Sequence, residues 1–128
     1  MTGAVTALLI CIAGGIGAAL RLLLDGLIQA RIKFSYPIAT TVINLTGSLV
    51  LGLLTGLATS QFLPHDWLLI VGTGLLGGYT TFSTASFETV RLIEDHRYVA
   101  AIFNGLGLLI AGTAAAALGF AVALLLTC

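Results

Sequence analysis

The sequence predicts an all-α integral membrane protein of four transmembrane helices, with a break in the third. Three observations carry that prediction. Of the 128 residues, 59% are hydrophobic and only 8% are charged, with a mean hydropathy of +1.14, whereas about a quarter of the residues in a soluble domain are charged. Four apolar stretches, at roughly residues 4–28, 37–60, 67–93 and 99–127, each reach the ~20 residues that cross a ~30 Å hydrocarbon core. The third stretch gathers glycines and then threonines at its middle, in GTGLLGGYTTFST, where a helix has its weakest propensity. Residues 1–128 read as a single transmembrane domain.

The first stretch lacks a basic leading segment and is followed by three more spans, so it is expected as a helix of the mature chain and not as a signal peptide. Arg21 and Asp25 lie in its last turns at i,i+4 spacing, where they can pair with each other or snorkel to the interface. Cys11 and Cys128 match neither metal-binding nor redox spacing. They are expected as inert thiols.

In the second stretch Thr40 and Asn44 share one helix face, and Thr46, Ser48 and Thr55 follow. Hydroxyls in membrane helices usually bond their own backbone four residues back. The Asn44 amide brings two donors that need a partner, and is read as functional. Asn44-Leu45-Thr46 also fits a glycosylation sequon, but it is discarded because it sits mid-span.

The connectors QARIKFSY, QFLPHD and EDHR collect the charges, both histidines and the prolines at or near helix ends. Arg31, Lys33 and Arg97, with Arg91 at the end of the third span, bias the first and third connectors inward, which places both termini outside. Gly14, Gly15 and Gly17, then Gly52 and Gly56, then Gly72, Gly74, Gly77 and Gly78 supply small faces for close helix approach. Four spans enclose little, so these faces are expected to serve an oligomer as well.

Unwound backbone at membrane depth is tolerated only against protein or a hydrated cavity, and it makes two sites at once. A half-helix ending near Gly77 offers free carbonyls to a cation. One starting near Thr81 offers amides and a positive dipole end to an anion. Ser83, Thr84 and Ser86 add neutral donors, and Phe82 adds a ring with a positive edge. Donors without fixed charge replace the water shell of a small anion without trapping it, which points to permeation.

GGYTTFSTASFETV resembles the signature GGxTTFSTFSxExV of the Fluc/CrcB-type fluoride channels, and the similarity extends to GGIGAALR in the first span and TxxxNLTGS in the second. A lone phenylalanine or a glycine cluster is ordinarily packing; their conjunction with TTFST carries the resemblance. It implies a passive fluoride channel of the bacterial inner membrane that exports cytoplasmic fluoride and confers fluoride resistance. It also implies an antiparallel, dual-topology homodimer with two pores and a central structural sodium ion. Carried over, Phe82 would line the pore, Asn44 and Thr40 the aqueous mouth, and Ser83, Thr84 and Ser86 a hydroxyl track. The carbonyls of Gly77 and Thr80 would hold sodium. Arg21 would be the first-helix arginine of the pattern, and Glu88 the glutamate after the track. The chain departs from the pattern at Ala85, where the family has a second phenylalanine. In the fourth span, where many relatives have a tyrosine and serines, it has Asn104, Leu108 and Gly112, with Thr113 nearby. Asn104 and Thr113 would face the pore from that side.

Two other classes compete. Small multidrug-resistance transporters also have four spans and dual topology, but their coupling needs a glutamate inside the first span, where this chain has only Arg21 and Asp25 near the end. A non-transporting membrane assembly subunit explains the glycines but not a polar track at mid-membrane. No enzyme is expected, because neither histidine lies near a cysteine or carboxylate at membrane depth.

Overall fold

The computed structural model describes all 128 residues, and no strand is present. Its helices run over Gly3–Arg31, Ile38–Thr59, His65–Glu94 and Tyr98–Thr127, each long and apolar enough to cross a membrane. The helices are tightly connected. Gln61 and His96 follow the second and third helices with φ of 61° and 57°. Next to them, the amides of Phe62 and Arg97 bond the carbonyls of Leu57 and Leu92 at 3.0 and 2.8 Å, the reversed turn that closes a helix C-terminus. The Met1 amine pairs with Asp66 at 3.4 Å, and Arg97 Nη1 donates to the Ser35 carbonyl at 2.5 Å. The N-terminus therefore sits beside the second connector, and the first and third connectors are tied together at the other end.

Only 18 of 128 residues are buried, as expected when the outer surface faces lipid and shows apolar side chains. The second helix is the most enclosed, with 28% of its apolar window buried against 6% for the first. Small residues set the close contacts. A Cβ at Gly17 would overlap the Leu75 backbone, and one at Gly78 would overlap Gly14, so the first helix lies backbone to backbone on the third. Gly52 and Gly119 do the same between the second and fourth helices, against Ala116 and Leu49.

One expectation is corrected here. The glycine-rich stretch was expected to unwind, with a half-helix ending near Gly77, but the chain stays helical through Tyr79. Over Leu68–Leu76 the helix widens to a π form, in which the Gly77 amide reaches the Gly72 carbonyl five residues back. Gly74 and Gly78 are pressed against the first helix, and that packing outweighs their low helix propensity. The interruption falls two residues later, on threonines.

Candidate functional site

Thr80 and Thr81 are extended, with ψ of 162° and 123°. A peptide leaving a helix at this depth needs new partners for its polar groups. Asn44 supplies them. Its Nδ2 donates to the Thr81 carbonyl at 2.9 Å, and its Oδ1 accepts from the Thr81 amide at 2.8 Å, so one side-chain amide clasps one backbone unit from both sides. The Thr81 hydroxyl then caps the helix Phe82–Glu94 by accepting from the Thr84 amide at 3.2 Å.

The clasp leaves other groups open. The Thr80 amide bonds Leu76 and the Thr81 amide is turned to Asn44, so the Gly77 carbonyl loses the donor it would have in a continuous helix. Neither it nor the Thr80 carbonyl accepts a hydrogen bond. On the other side of the break, the first amides of Phe82–Glu94 stand at the positive end of that helix.

Beside the break runs a groove of about 1000 Å³ between the second, third and fourth helices. Asn44, Gly77, Thr80, Phe82, Ser86, Asn104 and Thr113 all line it. Phe82 is 87% exposed. Ala85 also lines the groove, whereas Phe87 points away and is exposed, as the turn angle of a helix requires. The hydroxyls of Ser86, Thr89 and Thr113 each donate to the carbonyl four residues back, at 2.9, 2.8 and 2.8 Å. They therefore present lone pairs until that bond is released. Ser83 and Thr84 do not line the groove; both cluster on the Thr81 hydroxyl, at 3.4 and 3.0 Å.

Thr40 is buried and does not stand at an open mouth: its hydroxyl donates to Glu88 Oε1 at 2.8 Å. The other Glu88 oxygen is buried without a partner. Arg21 and Asp25 do not pair. Gln29 takes the Asp25 carboxylate at 2.9 Å, and Arg21 Nε is buried without an acceptor. Asn104, 1% exposed, donates through Nδ2 to the Ala85 carbonyl at 3.1 Å and to Thr89 Oγ1 at 3.0 Å. It fastens the fourth helix to the segment after the break.

Sequence reasoning missed Tyr79. Its hydroxyl lies 3.0 Å from Thr46 Oγ1, whose own proton is directed to the Val42 carbonyl, so Tyr79 is the donor. The last residue before the break is thereby pinned to the second helix. The sequence carries no signal for this pair or for Asn44 with Thr81, 37 positions apart. The sequence placed the start of the second half-helix near Thr81 without reading that residue as its cap.

A family described as CrcB-like protein, Camphor Resistance (CrcB), matches residues 8–120. A protein of Leifsonia xyli named fluoride-specific ion channel FluC 1 is 53% identical over 112 residues, covering 88% of this chain and 82% of its own. A Cutibacterium acnes protein named FluC 2 is 45% identical over 121 residues, 91% of this chain and 95% of its own. A Methylobacterium nodulans protein named FluC is 42% identical over 116 residues, 90% and 93% of the two chains.

Proposed function

The chain belongs to the CrcB family, and from that membership we infer that it is a fluoride-specific ion channel. The observation that carries the reading to these residues is the interrupted third helix, held open by Asn44 on the wall of a groove that also contains Phe82. A small anion passing there would meet the first amides of Phe82–Glu94 and the positive edge of the Phe82 ring. It would meet no fixed cation among the groove residues, so a strongly hydrated ion can be dehydrated without being trapped.

The direction of flow follows from chemistry. Neutral HF crosses the bilayer, ionises in the cytoplasm, and leaves as fluoride through a passive path driven by the membrane potential. The site of action is the bacterial inner membrane.

The functional unit is proposed to be an antiparallel, dual-topology homodimer with two pores. A protomer alone leaves its groove open and Phe82 87% exposed, and interrupted backbone at membrane depth needs cover from protein or a hydrated cavity, either of which a second subunit would complete. Apposing two breaks about a two-fold axis brings together the Gly77 and Thr80 carbonyls of both subunits. These oxygens accept no hydrogen bond within the protomer, and hard cations take oxygen ligands. They fit a sodium ion, which would supply the positive charge that holds the two breaks together. Ser86, Thr113 and Asn104 line each path, with Ser83 and Thr84 supporting the cap at Thr81. Thr40 and Glu88 form a paired group behind it, and Arg21 is assigned a structural role on the first helix.

Expression in a fluoride-sensitive bacterium lacking its own exporter tests the reading. Growth in fluoride is expected to be restored. Unchanged sensitivity with the protein present in the membrane would overturn it.

A further inference from the structure

At the end of the bundle away from the N-terminus, a second pocket of about 470 Å³ opens between the end of the first helix, the first connector and the last turns of the third helix. Lys33 and Arg91 both line it. Neither makes an ion pair, since the one pair in the molecule joins Met1 and Asp66. The wall is held in place, because Arg97 bonds the carbonyl of Ser35 in the same connector. The start of the second helix, at Ile38 and Ala39, also lines the space and turns its positive dipole end toward it. Phe34, 74% exposed, and Ile32 stand beside these charges.

Two unpaired cations in a fixed pocket where helices leave the hydrocarbon, with an exposed ring beside them, match the level at which lipid phosphates lie and acyl chains begin. We propose that this pocket seats the phosphate of a membrane phospholipid headgroup. Lys33 and Arg91 hold the phosphate oxygens, and Phe34 lies against the first methylenes of the lipid. Two carboxylates also face the space. Glu88 accepts from Thr40 on one oxygen while its other oxygen is buried without a partner, and the exposed Asp95 accepts from a headgroup hydroxyl or ammonium. Phosphodiesters with a donor at the far end of the headgroup, such as phosphatidylglycerol or phosphatidylethanolamine, are favoured over phosphatidylcholine, whose quaternary ammonium has no proton to give.

This assignment does not depend on fluoride conduction, and its test needs no flux. Purified protein in detergent is titrated with phosphatidylglycerol and observed by native mass spectrometry. The comparison is between wild type, the double variant Lys33→Gln with Arg91→Gln, and Arg31→Gln as a control outside the pocket. The double variant is expected to lose bound lipid about tenfold while the control retains it. Equal retention in all three proteins overturns the site. Millimolar inorganic phosphate that binds wild type and displaces the lipid makes free phosphate the occupant and overturns the choice of lipid. If the double variant fails to elute as folded protein by gel filtration, Lys33→Gln alone, on the exposed connector, carries the test, with a fall of about threefold expected and none contradicting it.

Discussion

Asn44 uses a donor and an acceptor on one peptide unit of Thr81, at 2.9 and 2.8 Å. Its sequence signature was an amide in need of partners at membrane depth, which pointed to the residue but not to what it holds. Asn44→Leu leaves both Thr81 groups unpaired, at roughly 1–3 kcal/mol for each buried group. Asn44→Asp keeps an acceptor for the amide but sets a carboxylate against the Thr81 carbonyl. Both variants are predicted to lose most fluoride flux in liposomes while eluting as intact protein on gel filtration, and normal flux in both would return Asn44 to packing. Phe82 was legible from its motif, and its 87% exposure fits a ring that waits for an ion or a partner. Phe82→Ile is predicted to abolish or severely reduce fluoride efflux. Ala85→Phe, which restores the family ring on the groove wall, is predicted to keep fluoride selectivity. Normal conduction by Phe82→Ile would move the path to the hydroxyls and amides. For Arg21 and Asp25 the i,i+4 spacing left pairing and snorkelling both open, and spacing alone does not reveal that Gln29 takes the Asp25 carboxylate.

Among the elements, the four helices were legible because lipid demands long apolar runs. The break was legible in kind but displaced in place. Low propensity suggested the glycines, whereas the structure spends Gly17, Gly74 and Gly78 on bringing the first and third helices into backbone contact and unwinds at Thr80 and Thr81 instead. Propensity is a local quantity, and the contact that overrides it comes from residues some 60 positions away in sequence. Gly78→Val is therefore predicted to destabilise the protein by about 1–3 kcal/mol or more through overpacking, seen as a lower midpoint of thermal unfolding in detergent. An unchanged midpoint would mean that the two helices are not in backbone contact. The helix-ending turn at Gln61, with φ of 61°, gives the opposite case. Gln61→Gly removes the left-handed strain and is predicted to raise stability by roughly 0.5–1 kcal/mol, and a fall would contradict the turn geometry.

For the whole molecule, one protomer leaves open a groove lined by Asn44, Thr80 and Phe82 and two carbonyls that accept no hydrogen bond, and the proposed antiparallel dimer would cover both. No sequence pattern within one chain reports how two copies meet, and the basic residues of the first and third connectors favour a single orientation. A cysteine introduced in the second connector is predicted to label from both sides of the membrane in cells, and labelling from one side only would contradict dual topology. The central claim is selective passive passage of fluoride, and efflux from liposomes containing the purified protein measures it. With potassium fluoride or potassium chloride trapped inside and valinomycin added to balance charge, fluoride is predicted to leave rapidly down its gradient while chloride stays. Equal efflux of the two halides, or no fluoride efflux from correctly assembled protein, would contradict the account.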